Sequence, residues 1–170
     1  MRKVTLVPYD EQWPDLFETE SSMLQITIGK VISRIHHIGS TSVPGLAAKP
    51  VIDILMEVVS LNALDNLNAA MERAGYTARG ENGIQNRRYF TKGEDQRSHQ
   101  VHAFTLGDAQ IVKHLAFRDY LIKNKKVAEQ YAEIKRVALL ASESDNHRYS
   151  AFKADFIEHH LRLALMGQAR

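Results

Sequence analysis

Cysteine is absent from this 170-residue chain, so disulfides, thiolate nucleophiles and Cys-ligated zinc are excluded from its chemistry. A marked excess of either charge is also lacking. Twenty-two basic and 20 acidic residues leave a formal net charge of +2, which gives no electrostatic footprint for duplex nucleic acid. No apolar run approaches the ~20 residues needed to cross a bilayer, so no membrane association is expected. The start, Met1-Arg2-Lys3-Val4-Thr5, leads to acids and Trp13-Pro14 rather than to a signal-peptide core, and a cytoplasmic location is expected. What remains is the balance of an ordinary globular protein, 44% hydrophobic and 25% charged, long enough to bury a sizeable core.

The periodicities predict an α+β layout. Asp10 to Ile28 reads as a helix with Trp13, Phe17, Leu24 and Ile28 on one face, and with Pro14 tolerable near its first turn. Val31 to Ile38 and Val51 to Val59 read as strands. Leu64, Leu67, Met71 and Ala74 mark a second helix, stopped by Gly75. Shorter strands follow at 76–79, 87–91 and 100–106, separated by Asn82-Gly83 and Gly93-Glu94-Asp95. Three helices close the chain. Asp108 caps the first, Asn124 and a lysine pair break it before Val127 to Ser142, and Ser144-Asp145-Asn146 caps the last through about Met166. One domain over 1–170 is expected, with a core of about 1–107 and C-terminal helices over about 108–167.

Between the first two strands lies a small-residue, hydroxyl-rich loop, Gly39-Ser40-Thr41-Ser42-Val43-Pro44-Gly45. Such a loop lets backbone N–H groups and hydroxyls approach an anion closely. The next strand embeds Asp53 among apolar residues, where a buried carboxylate needs a partner and a metal ion is one candidate. Alternation puts Asp53, Leu55 and Glu57 on one face, with the two acids roughly 13 Å apart. Glu57 therefore reads as a solvated strand end, and the position that a paired carboxylate would need holds Leu55. A P-loop is excluded, because Gly45 is followed by Leu46 and a strand rather than by Lys-Ser or Lys-Thr and a helix. Lys49 is either a phosphate-facing cation or a solvated loop lysine. Arg79, Arg87, Arg88, Lys92 and Arg97, with acids among them, read first as a solvated hairpin region and second as a pocket rim.

The string from His37 to Leu55 resembles the signature of the GrpB family of small bacterial proteins. Val7-Pro8-Tyr9-Asp10 with Trp13-Pro14, Phe117 to Leu121, Tyr131 to Lys135 and Tyr149 to Lys153 continue the resemblance along nearly the whole chain. The family is identified as a member of the nucleotidyltransferase superfamily, which implies a mixed or antiparallel sheet flanked by helices. It also implies a nucleoside triphosphate ligand with Mg2+ as the cofactor. By the resemblance Gly39 and Ser40 match the phosphate-holding pair, with Thr41 beside them, and Asp53 matches the first metal-binding acid. Leu55 stands in the place of the second. His102, with Gln100 before it, falls where a third ligand or a general base is expected, and its other reading is a hydrogen-bonded structural histidine.

Tyr131 with Lys135 and Tyr149 with Lys153 fall on common helical faces, where a ring could stack on a base and a lysine could meet a phosphate. Their alternative is ring packing against the sheet with the lysine stems snorkelling to water. Arg118 and Asp119, adjacent on a helix, are expected to point apart, with Arg118 either in the cleft or in an internal ion pair. Catalysis is thus assigned to Asp53 and His102, which are also the metal ligands. Phosphate or nucleotide binding falls to Gly39, Ser40, Thr41, Lys49, Arg118, Tyr149 and Lys153. The rival to a transferase is a non-catalytic module binding a nucleotide, a coenzyme A derivative or another phosphorylated small molecule, since some family members are fused to dephospho-coenzyme A kinase. A third reading leaves the loop purely structural, with Asp53 satisfied by backbone donors of Ser40 and Thr41.

Overall fold

The computed structural model describes residues 3–168. Helix α1, Trp13–Ile28, leads through a short turn into strand β1, Ile32–Ile38, and a loop over 39–51 returns the chain along β2, Ile52–Val58. Two short helices, α2 (Leu61–Asp65) and α3 (Asn68–Arg73), precede β3 (Tyr76–Ala78), β4 (Arg88–Lys92) and β5 (His99–Thr105). Helices α4 (Ala109–Lys123), α5 (Lys125–Ala141) and α6 (Asn146–Gln168) complete the described chain. The architecture is the expected α+β one, a mixed sheet flanked by helices with a helical C-terminal segment.

The sheet runs in the order β1-β2-β5-β4-β3. Among the described strands only β2 and β5 pair in parallel, with Asp53 opposite Gln100 and Leu55 opposite His102. The other pairs are antiparallel, and Ile38 opposite Asp53 closes the β1–β2 pair beneath the hydroxyl loop. Alternation along β2 sends Ile54, Met56 and Val58 into the main core, against Trp13, Phe17, Leu24 and Ile28 of α1 and Leu64 and Met71. Each such side chain contributes about 1.5–3 kcal/mol by leaving water. The opposite face carries Leu55, Ile38 and Phe104 under Ile111 of α4. Beyond this apolar patch the same face presents Asp53, Gln100 and His102.

Several local expectations are corrected. Helix α1 begins at Trp13, because Asp10 spends its side chain and carbonyl on the N–H groups of Gln12 and Trp13 in the turn before it. The stretch 61–74 is two helices broken at Asn66-Leu67 rather than one. Lys125 and Lys126 do not break a helix but open α5, which restarts directly after Asn124. Glu57 is buried and takes a 2.6 Å contact from His36 Nε2 across the β1–β2 pair, so it is not a solvated end. The caps fit the reading: Asp108 accepts from the N–H of Gln110 at 2.8 Å and Asp145 from that of Arg148 at 2.9 Å.

Candidate functional site

The loop after β1 turns at Gly39, whose φ of 73° and ψ of −173° belong to a region that essentially only glycine populates. A Cβ there would come within 2.7 Å of Asp53 Oδ2, so the missing side chain is also what lets the carboxylate lie against the loop. A single 3-10 turn follows at Ser40–Ser42, and Val43 and Leu46 then anchor the loop among Leu121, Ala128 and Tyr131 of α4 and α5. Thr41 is buried, and its Oγ1 lies 2.9 Å from His37 Nε2. The His37 ring stacks on Phe17 with centroids 4.8 Å apart, and burial pushes its pKa down to about 4.

Helices α4, α5 and α6 fold over this loop and the end of β2 and β5, enclosing a cavity of about 410 Å³. All nine residues singled out in the sequence line it: Gly39, Ser40, Thr41, Lys49, Asp53, His102, Arg118, Tyr149 and Lys153. Asp53 Oδ1 lies 3.3 Å from His102 Nε2, and the carboxylate side chain keeps 26% of its surface exposed, so it faces an open hollow. Behind it His102 Nδ1 is 3.4 Å from a terminal nitrogen of Arg87, itself buried and held by the carbonyls of Glu81 and Asn82. Arg87 is thus a support of the site, not part of a solvated hairpin.

Arg118 turns back to Asp119, with 2.9 Å from Nε to Oδ1, instead of pointing away from it, while its terminal nitrogen donates to the carbonyl of His37 at 3.1 Å. That bond ties α4 to the strand end just before the loop. The purely structural reading of Asp53 is not supported, since its hydrogen-bond partner among the described residues is a side chain, His102, rather than the loop backbone.

The lysines are the more unusual part. Lys135 and Lys153 lie over the rings four residues before them, 4.8 Å from the Tyr131 centroid and 4.6 Å from that of Tyr149, and Lys49 also lies 5.4 Å from the Tyr149 centroid. Lys135 is 1% exposed and donates to the carbonyl of Ala47, so the expected snorkelling to water does not occur there. Among the described residues no carboxylate forms an ion pair with Lys135 or Lys153. Burial, then the neighbouring ammonium groups, pushes Lys135 down to about 7. Burial and Lys49 push Lys153 down to about 8, against the pull of Asp53. The Tyr149 hydroxyl is buried without a partner among the described residues.

Sequence reasoning missed His114, Lys113 and Gln110, three more lining residues on α4. Burial pushes His114 down to about 4, and its ring is 5.5 Å from that of His102. Their i, i+3 and i+4 spacing on one helix was a readable signal, but nothing in the sequence showed which face of α4 would meet the cavity. Asp53 is the single carboxylate among the described lining residues, against the cations Lys49, Lys113, Arg118, Lys135 and Lys153. Such a chamber suits an anion. Among the described residues no group of three or more His, Asp or Glu side chains is arranged to hold a metal ion, and no helix is long and apolar enough to cross a membrane.

The sequence pattern of the family described as GrpB protein matches residues 3–163. The chain belongs to the GrpB family. It is 42% identical over 157 residues to UPF0157 protein YqkA of Bacillus subtilis, covering 92% of this chain but 46% of that protein's length. The crystal structure of conserved protein GrpB from Enterococcus faecalis superposes with a TM-score of 0.93 at 36% identity, covering 98% of this chain and all of that one. A more distant relative, a dephospho-CoA kinase of Mycolicibacterium paratuberculosis, is 30% identical over 175 residues, covering 88% of this chain and 43% of the kinase. This GrpB-family chain thus spans less than half the length of two of the proteins it resembles.

Proposed function

We propose that this GrpB-family chain binds the phosphates of a nucleoside triphosphate in the cavity, as one domain whose C-terminal helices form one wall. Gly39, Ser40 and Thr41 would hold them from the loop, Lys49, Lys135, Lys153 and Arg118 from the helical side, and Tyr149 would offer its hydroxyl. The observation that carries this reading is Lys135. A lysine amine 1% exposed, bonded to the carbonyl of Ala47 and held down to about 7 by burial and the nearby Lys153 and Lys49, regains its charge favourably when an anion joins it.

Magnesium can be tested against the residues present. Mg2+ takes one or two carboxylates and fills its other places with phosphate oxygens and water. Asp53 fits one such ion arriving on the triphosphate, and His102 fits better as the partner that orients Asp53 than as a ligand for so hard a cation. A pair of ions is not accommodated, because Leu55 holds the place of a second acid and is packed under α4. The bound ion would neutralise charge on the phosphates. This chain's own part is to orient them through the loop and to exclude water with α4, α5 and α6.

The same Leu55 favours a second reading, a binding module without turnover, and the likeness to a dephospho-CoA kinase makes coenzyme A derivatives the first alternative ligands. Calorimetric titration with the four nucleoside triphosphates and with coenzyme A, each with and without Mg2+, tests the proposal. Asp53→Ala is expected to remove the magnesium dependence at unchanged thermal midpoint, and Lys153→Gln to weaken binding about tenfold with or without the ion. Unchanged binding in both variants rejects the site. Release of pyrophosphate from labelled triphosphate marks an enzyme; tight binding without release marks a module. A cytoplasmic setting, where such ligands abound, is part of the same proposal.

A further inference from the structure

Next to the main cavity lies a second, more open one of about 370 Å³, and the two share Lys49 and Gln100 as lining residues. Its walls carry Lys49, Arg79 and Arg97 with the amides of Asn82, Gln100 and Asn146, and no Asp or Glu is among the described residues that line it. Arg79 Nε donates to Thr91 Oγ1 at 2.7 Å, its one side-chain hydrogen bond among the described residues, which leaves the terminal nitrogens of its fork for another acceptor. Arg97 Nε is buried and has no partner among them. A buried donor with no acceptor among the described residues is costly, so a solvent or ligand oxygen that reaches it stabilises the fold. Guanidinium forks facing a hollow without acids match the oxygens of a phosphate, which they grip in two parallel hydrogen bonds.

We propose that this second cavity is a phosphate subsite, continuous with the first, so that the site as a whole takes two separated phosphate groups. The subsite deepens the nucleotide reading by naming a second anionic group on the ligand side, and it rests on that reading for the first group only. Lys49 lies on both walls and bridges them. The groups belong to one doubly phosphorylated molecule, or the second belongs to a phosphorylated co-substrate; the chemistry at Arg79 and Arg97 is the same.

The test titrates the full chain with adenosine 5′-phosphate and with adenosine 3′,5′-bisphosphate, and follows the Arg97 Nε–H resonance during titration with inorganic phosphate. The expected result is at least tenfold tighter binding of the bisphosphate, with that advantage lost in the Arg79→Gln, Arg97→Gln double variant while binding of the monophosphate and the thermal midpoint stay unchanged. If the bisphosphate has no advantage but inorganic phosphate moves the Arg97 resonance saturably beside bound adenosine 5′-phosphate, the subsite stands and its phosphate comes from a second molecule. If neither nucleotide binds while inorganic phosphate still moves that resonance, the main-cavity reading fails and the subsite survives. An Arg97 resonance indifferent to phosphate, with no advantage for the bisphosphate, overturns the proposal.

Discussion

Gly39 links local conformation directly to the site. Its backbone occupies a region closed to side chains, and the space a Cβ would fill is already taken by the Asp53 carboxylate. Gly39→Ala is therefore expected to cost about 1–3 kcal/mol of stability from backbone strain. It should also weaken phosphate binding, because Asp53 must give way. Urea unfolding and calorimetry of the same variant check both halves; an alanine variant as stable as the parent contradicts the close approach. This much was legible in the sequence, since a Gly-Ser pair before an acid-bearing strand already suggested an anion site. Glu57 shows the limit at the same scale. Its strand face was readable, but its partner His36 lies on the neighbouring strand, and register is not written in either strand alone.

At the scale of elements, β2 divides its duties along its length. The end near the loop carries Asp53 into the hollow, while two residues on Leu55 is 0% exposed among Ile38, Phe104 and Ile111. Restoring an acid with Leu55→Asp is expected to destabilise the fold by about 3–5 kcal/mol, the cost of an uncompensated buried charge, rather than to create a second metal position. Thermal or urea unfolding decides it; a stable variant that gains magnesium affinity contradicts the packing argument. Strands and helices were readable from alternation and caps such as Asp108 and Asp145, because those signals are local. The break at Asn66-Leu67 and the immediate restart at Lys125 were not, since tertiary packing rather than propensity sets where those helices end.

Over the whole molecule, buried titratable groups on both sides of neutrality give the stability a definite pH dependence. His37 and His114 are held down to about 4, whereas the unfolded chain protonates its histidines near 6.5. The unfolded state therefore binds more protons in that interval, and stability is lost as pH falls from about 6.5 to about 4. Lys135 and Lys153 are held down to about 7 and about 8 against 10.5 unfolded. By the same sign, stability of the ligand-free protein should climb as pH rises from about 7 toward 10.5. Urea midpoints at pH 5, 7 and 9 check the two limbs, and a midpoint that falls between 7 and 9 contradicts the buried amines. An anion that draws these lysines back to the charged form must bind with proton uptake, so its affinity should decline as pH rises through 7 and 8. The convergence of three lysines on two tyrosine rings was only half visible in the sequence: the i,i+4 pairs could be read, but not that α5 and α6 would bring them together beside Lys49.

The most direct test of the anion chamber is a calorimetric titration of inorganic pyrophosphate at pH 7 into the parent chain and into Lys135→Met. Saturable binding with uptake of protons, weakened at least tenfold (about 1.4 kcal/mol) in the variant, is the predicted result; no binding to the parent, or equal affinity in the two proteins, contradicts it.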